Sequence, residues 1–143
     1  MCSNMLDIET IHHVSVPVAD LARAKQFYGG VLGLREIARP PFDFAGAWYH
    51  AGDRQLHLIV SAESTFRAGK RLDSRDVHFA LRVRSYRTSL EHLKARGYRA
   101  DLPADHIMTM KESPAGTAGF PQIYLLDPDR NVIELNAERL DGS

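Results

Sequence analysis

Hydrophobic and polar residues alternate along several short stretches of this chain, as expected for strands that bury one face. The first stretch, Thr10–Val18, places three valines on one face and His13 on the other. Apolar residues then recur at helical spacing between Asp20, a good N-cap, and Gly33, a typical helix stop. This order predicts a strand followed by a helix.

Three further strands are expected in the first half of the chain. They are Leu34–Ile37, Ala47–Ala51 and Gln55–Val60. The last two flank a turn at Gly52, and His57 points away from the face that its neighbouring leucines share. Residues 61–76 show no periodicity and are interpreted as a linker.

The same order of elements then begins again. We expect a strand at Val77–Val83, a helix between Ser85 and Gly97, and strands at Tyr98–Leu102, Gln122–Leu126 and Asn131–Leu135. The segment Pro103–Pro121 is interpreted either as an ordinary long loop or as a lid. The repeat of strand, helix and three strands predicts two modules, the first at 8–62 and the second at 75–138.

Four polar side chains share one property, because each lies on the strand face opposite the apolar residues. They are His13, His57, His78 and Glu134. If the helices cover the apolar faces, these groups converge from four strands, and buried polar groups need partners. A divalent cation satisfies several of them at once, although a single His could also be a hydrogen-bonded core residue and Glu134 a solvent-facing one. We predict one divalent metal ion, which could be Zn, Ni, Fe, Co or Mn.

Composition and charge exclude several classes of partner. Lys+Arg and Asp+Glu are equal at 18 each, so there is no electrostatic reason to expect nucleic acid. The one cysteine, Cys2, cannot form an intramolecular disulfide, the first residues lack signal-peptide features, and no stretch approaches a membrane span. We therefore predict a cytoplasmic protein with a small-molecule substrate. Unpaired sheet edges also predict a homodimer.

Three segments of the chain resemble the vicinal oxygen chelate superfamily, which includes glyoxalase I, extradiol dioxygenases and bleomycin-binding proteins. They are IHHVSVPVADLARAKQFYGGVLGL, DVHFALRV and LLDPDRNVIELN. The resemblance implies an α+β fold, in which paired βαβββ modules form one domain over 8–138, with cupped mixed sheets around a metal site. The metal positions of glyoxalase I fall on His13, His57, His78 and Glu134.

The function that this resemblance implies is that of a metal-dependent lyase or isomerase similar to lactoylglutathione lyase. The metal would stabilise the enediolate of a small carbonyl or hemithioacetal substrate, with Glu134 as proton shuttle. Glyoxalases bind glutathione through an Arg at the position of Pro17. The pseudo-equivalent position in the second half carries Arg82, which would hold an anionic substrate or else form an ion pair.

Two other functions are left open by the same residues. His13, His78 and Glu134 could form a facial triad on Fe(II), as in a ring-cleaving dioxygenase. The chain could also be a protein that sequesters a small molecule without turnover, as bleomycin-resistance proteins do.

Overall fold

The computed structural model of the chain describes residues 6–61 and 67–141, so Cys2 and the expected module boundary at residue 62 lie outside it. The strands are β1 (His13–Val18), β2 (Arg35–Ile37), β3 (Gly46–Ala51), β4 (Arg54–Val60), β5 (His78–Arg82), β6 (Met110–Ser113), β7 (Gln122–Leu126) and β8 (Val132–Asn136). The helices are α1 (Leu21–Lys25), which continues as a π-helical turn over Gln26–Val31, and α2 (Tyr86–Ala95). Neither is long and apolar enough, within these residues, to cross a membrane.

The strands form two mixed sheets with the same topology. The first sheet has the order β1-β4-β3-β2 and the second has the order β5-β8-β7-β6. In each sheet the first strand of the module pairs in parallel with the last, and the other pairings are antiparallel. The α+β fold class of paired βαβββ modules is therefore confirmed.

Both helices begin at the residues that the sequence indicates. The Asp20 carboxylate accepts a hydrogen bond from the Arg23 N–H at 3.0 Å, and the Ser85 hydroxyl accepts one from the Thr88 N–H at the same distance. Each cap satisfies one backbone donor that the first helical turn leaves free. Gly33, with φ of 72°, follows the first helix in the left-handed conformation that commonly ends a helix.

One hydrophobic core joins the two modules. It includes Val16, Val18, Phe27, Tyr28, Leu56, Leu58, Tyr86, Leu93, Ile123, Leu125, Ile133 and Leu135. These residues come from the apolar faces of both sheets and from both helices, as strand parity predicts. Every candidate ligand lies on the opposite face of its sheet, where the second sheet also carries a small apolar cluster of Tyr124, Leu126 and Val132.

The turn between β7 and β8 fastens the second module to the first. The Tyr28 hydroxyl donates to Asp127 Oδ2 at 2.6 Å, and the Ala19 N–H donates to Asp129 Oδ1 at 3.0 Å. Asp127 is fully buried, and this burial raises the pKa of its carboxyl although hydrogen bonds from Tyr28, Asn131 and Asp129 oppose the rise. The turn therefore contributes a satisfied but desolvated carboxyl to the junction.

The second module differs from the prediction between its helix and its next strand. Tyr98–Leu102 is not a strand, because only Arg99 bridges to Thr109 before the chain turns. The strand that pairs with β7 on the side away from β8 is β6, which lies inside the segment expected to be a loop or lid. Residues 32–34 suffice between the first helix and β2, whereas residues 96–109 separate α2 from β6. The extra length of the second module lies in this connection.

Candidate metal centre

The first pair of candidate ligands comes from two neighbouring strands, β1 and β4. The His13 and His57 rings stack with centroids 4.1 Å apart and planes 20° apart. On its other face His57 stacks on Trp48, its cross-strand neighbour on β3, at 4.0 Å and 5°. His57 Nε2 is 2.8 Å from Gln55 Oε1 and so donates to it. Stacking therefore dominates the surroundings of this pair.

The environment of His57 favours the neutral imidazole. Burial lowers the pKa of His57, and the charges of His13, His12 and Arg39 lower it further. Since only an imidazole nitrogen without a proton can bind a metal ion, a lowered pKa increases the fraction of the ring that is competent at neutral pH.

The second pair comes from β5 and β8, which are also parallel neighbours. His78 Nε2 lies 3.0 Å from Glu134 Oε1, and His78 Nδ1 lies 2.8 Å from the Asp76 carbonyl oxygen. Because the carbonyl can only accept, Nδ1 carries a proton, and in a neutral ring Nε2 then presents a lone pair to the carboxylate. Two lone pairs at this distance need a positive species, which is either a second ring proton or a metal ion.

Glu134 is fixed by further hydrogen bonds. Its Oε2 accepts from Asn136 Nδ2 at 2.8 Å and from Gln122 Nε2 at 3.2 Å. Burial would raise the pKa of Glu134, but hydrogen bonds from Asn136, Gln122, His78 and Tyr124 outweigh it and lower the pKa below its usual value. Glu134 is therefore a carboxylate at neutral pH, with Oε1 directed at His78.

Arg82 extends this network along the same face of the second sheet. Its Nε donates to Asn136 Oδ1 at 2.6 Å, and its guanidinium carbon lies 5.4 Å from the centre of the Phe120 ring. Among the described residues no carboxylate forms an ion pair with Arg82, so the ion-pair alternative finds no support there. The bond to Asn136 also sets the orientation of that amide toward Glu134.

The structure brings the four candidate ligands together two by two. Across residues 6–61 and 67–141, no group of three or more His, Cys, Asp or Glu side chains could hold a metal ion. The sequence left open whether the four ligands converge within one chain or across a dimer, and the described part of one copy does not bring all four together. The physical reason is that the two pairs belong to separate sheets, whose apolar faces share the core and whose strands do not pair with one another.

The donor set nevertheless fits a divalent cation. Three imidazoles and a carboxylate are typical ligands of mid-series metals, and the carbonyl bond at His78 Nδ1 is the support that ligating histidines usually have. Imidazole lone pairs lie in the ring plane, so the parallel His13 and His57 rings can share one ion only after one of them rotates. The terminal torsion of His is broad, so this rotation requires no backbone change.

An apolar cavity of about 1100 Å³ lies between β1 and β5. Both are edge strands of their sheets, and both contribute lining residues, among them Val14, Val16, Phe79 and Leu81. At its rim lie Ile11 and Val77, two apolar side chains that are 70% and 78% exposed. The edge strands of both sheets therefore face an open apolar groove, and of the four candidate ligands His78 lines it.

Several residues that contact the candidate ligands were not predicted from the sequence. Asn136 lies two residues after Glu134 and therefore on the same face. Gln122 is the cross-strand partner of Asn136. Parity alone could have found Asn136, whereas Gln122 and Trp48 depend on the register between strands. Register is set by turns and packing, which the alternation pattern does not encode.

Comparison with known proteins gives one clear family. The sequence profile of the Glyoxalase/Bleomycin resistance protein/Dioxygenase superfamily matches residues 10–135. No match was found among the curated proteins.

Similar solved structures share the fold at low sequence identity. A glyoxalase family protein from Bacillus anthracis is 22% identical with a TM-score of 0.69, covering 91% of this chain and 95% of that one. A lactoylglutathione lyase from Agrobacterium tumefaciens is 17% identical with a TM-score of 0.63, covering 92% and 95%. A mutant fosfomycin resistance protein from Listeria monocytogenes, complexed with Mn(II) and a dihydroxypropylphosphonic acid, is 19% identical with a TM-score of 0.65, covering 93% and 95%.

Proposed function

Because this chain belongs to the glyoxalase/bleomycin resistance protein/dioxygenase superfamily, we propose that it is a metal-dependent enzyme of the glyoxalase I type. Its substrate would be a small carbonyl or hemithioacetal compound. The observation that carries the proposal is the pair of His78 and Glu134, whose ring nitrogen and carboxylate oxygen lie 3.0 Å apart and can share a proton or bind one cation. The cytoplasmic location expected from the sequence stays a prediction.

The proposed metal site is shared between two copies of the chain. His13 and His57 of one copy and His78 and Glu134 of the partner subunit would hold one ion. Three observations support this arrangement: the two pairs lie apart in one copy, β1 and β5 are unpaired edges, and the groove between them is apolar with exposed residues at its rim. A homodimer that covers the groove would bury this surface and complete the site.

The chemistry follows from the surroundings of Glu134. A bound metal supplies Lewis-acid stabilisation of the negative charge that develops on a substrate oxygen. Glu134, a carboxylate at neutral pH that is held at Oε2, would take a proton from the substrate and return it. Arg82, held by Asn136, would bind an anionic part of the substrate through its remaining N–H groups.

Complementation of metal binding tests the proposal. One variant carries His13→Ala and His57→Ala, and the other carries His78→Ala and Glu134→Ala. Each homodimer alone should lose the metal, whereas the mixed dimer, purified through two different tags, should bind one ion, since one of its two sites is intact. Equilibrium dialysis with Mn²⁺ measures the stoichiometry.

Two results would overturn the proposal. A mixed dimer without metal would show that the site is not shared between copies. A native protein that binds no divalent metal would show that the proposed enzyme is not metal-dependent. A screen for turnover of hemithioacetals, catechols and acyl-CoA thioesters then separates an enzyme from a binding protein.

One observation favours a second candidate function. His57 is stacked on both faces, by His13 and by Trp48, and its Nε2 bonds to Gln55, so a metal ion could be held by His13, His78 and Glu134 without it. Two His and one carboxylate are the facial triad of non-haem Fe(II) oxygenases. Anaerobic loading with Fe²⁺ followed by catechol-dependent oxygen uptake would support this candidate, and oxygen-independent turnover of a hemithioacetal would exclude it.

A further inference from the structure

A continuous series of rings leads from the candidate ligands out to solvent. Trp48 stacks on His57, the Phe42 ring lies 6.1 Å from Trp48, and Phe44 stacks on Phe42 at 5.0 Å and 16°. We call Phe42, Phe44 and Trp48 the aromatic wall. The wall borders the polar face of the first sheet, because Trp48 and His57 are cross-strand partners on that face.

The two phenylalanines are held in place outside the core. Phe42 is 44% exposed and Phe44 is 42% exposed. The Arg39 guanidinium carbon lies 4.9 Å from the centre of the Phe42 ring and 5.0 Å from that of Phe44, and Arg39 Nη2 donates to the Phe44 carbonyl at 2.6 Å. These contacts favour a single position for the two rings.

Gly46 makes room for this arrangement. A Cβ at position 46 would lie 3.2 Å from the Arg39 guanidinium nitrogens and would collide with the Leu58 carbonyl oxygen. The arginine therefore packs closely over the start of β3 and ties the connection between β2 and β3 to the sheet. Exposed aromatic rings that are fixed beside a polar cluster are typical of a ligand-binding surface.

The second sheet presents a different surface. Its polar face carries Arg82, Asn136, Gln122 and Glu134, all linked by hydrogen bonds. In the shared site proposed above, the aromatic wall of one copy would therefore stand opposite a cationic and hydrogen-bonding surface of the partner subunit. A ligand that matches both surfaces has a planar apolar part and an oxygen-rich anionic part.

From this geometry we infer that the substrate carries an aromatic ring, which packs against the aromatic wall while its oxygen atoms meet the metal ligands and Arg82. The inference rests on the proposed function, because it places the ring beside the proposed metal. Stacking on a fixed aromatic surface favours a ring over an aliphatic group by its buried area and by the geometry of the aromatic pair. The wall thus determines specificity, and it is not a catalytic group.

A matched pair of probes tests the inference. Mandelate and lactate share a 2-hydroxycarboxylate and differ in a phenyl and a methyl group. Trp48 is the single tryptophan of the chain, so its fluorescence reports binding at the wall. We expect the Zn²⁺-loaded dimer to bind mandelate about tenfold more tightly than lactate, with a change in Trp48 emission on mandelate binding.

Two variants make the measurement specific. In the double variant Phe42→Ala and Phe44→Ala, the ratio of the two dissociation constants should fall to within about threefold. Leu140→Ala, which removes an apolar side chain that is 54% exposed elsewhere on the surface, should leave the ratio as it is in the native protein. Circular dichroism confirms that both variants fold.

The outcomes separate this inference from the proposed function. Equal binding of the two probes by the metal-loaded protein, or a phenyl preference that survives the double variant, would overturn the inference and leave the metal site standing. A protein that holds no metal and binds neither probe would overturn both.

Discussion

The two halves of this molecule repeat the same backbone and surround their candidate ligands differently. In the first half His13 and His57 are stacked rings, and His57 makes a single side-chain hydrogen bond, to Gln55. In the second half Glu134 receives hydrogen bonds from Gln122 and Asn136, and its Oε1 lies 3.0 Å from His78 Nε2. The first pair is held by apolar contact and the second by directed polar contact.

The difference shows which features the two halves of a structural repeat have in common. Strand parity and pairing place a candidate ligand on the same face of each sheet, because both are properties of the backbone. The neighbours of that ligand are side chains, and stacked rings predominate among them in one half whereas hydrogen-bonded polar groups predominate in the other. A site assembled from the two halves would therefore have one rigid polar side and one side shaped by ring packing.

The largest effect that would test this comparison is expected at Glu134. Glu134→Gln keeps an oxygen that can coordinate but has no basic site near neutral pH. Turnover of the substrate identified by the screen, at saturating metal, should fall by about 10²–10⁴-fold, with a much smaller change in substrate binding. Metal content is measured on the same samples.

Glu138→Gln is the matched control, because Glu138 is exposed on the chain just beyond β8 and should have native turnover. A metal-replete Glu134→Gln protein with near-native turnover would refute the proton-transfer role.

The next effect contrasts the two pairs directly. His78→Ala removes an imidazole oriented by the Asp76 carbonyl, and metal affinity should fall by at least about 100-fold. His57→Ala should cost about tenfold, because His57 must leave Gln55 and its stacked neighbours before it binds metal. Isothermal titration with Zn²⁺ measures both, with His106→Ala as the control on an unrelated loop.

Equal losses in the two variants would show that the pairs contribute equally. That result would remove the distinction between a prearranged pair and a stacked one.

A third effect compares a hydrogen bond between the two modules with one inside the second module. Tyr28→Phe removes a hydrogen bond to the buried Asp127 carboxylate and should lower the free energy of unfolding by about 2 kcal/mol. Tyr86→Phe removes a 3.2 Å bond to the neutral Gln122 carbonyl and should cost about 1 kcal/mol. Urea unfolding of the two variants gives the comparison.

If Tyr28→Phe costs no more than Tyr86→Phe, the Asp127 contact is not what strengthens the junction. The measurement is made at a fixed protein concentration, since dimer formation contributes to apparent stability.

The smallest effect is expected at the two hairpin turns. Gly52 in the first half has φ of 64°, and Arg130 in the second has φ of 68°, a conformation that costs a non-glycine residue about 1 kcal/mol. Arg130 also donates from Nη1 to the Lys70 and Asp105 carbonyls, both at 2.9 Å. Arg130→Gly should therefore change the unfolding free energy by less than about 1 kcal/mol, since relieved strain offsets lost bonds.

Gly52→Ala is the counterpart, because no atom lies near a Cβ there and only the backbone strain acts. It should destabilise by about 1 kcal/mol. Thermal unfolding of the two variants would contradict this reading if Arg130→Gly were clearly the more destabilising.

Much of this protein follows from local properties of its sequence. Alternation placed β1, β3, β4, β5, β7 and β8 and assigned each candidate ligand to the polar face of its strand, and the caps at Asp20 and Ser85 placed the helix starts. These features are local because side-chain direction and helix capping depend on residues a few positions apart. Tyr98–Leu102 shows the limit, since an alternating stretch remains a turn when no strand is positioned to pair with it.

Only the tertiary structure decided which of these residues meet. The sequence indicates four ligands on four strands, yet the described fold pairs His13 with His57 and His78 with Glu134 and leaves the pairs apart. The tertiary structure also decided that Asn136 and Gln122 donate hydrogen bonds to Glu134 and that Trp48 stacks on His57. Such contacts depend on strand register and on how two sheets share one core, and alternation along a single strand carries no information about either.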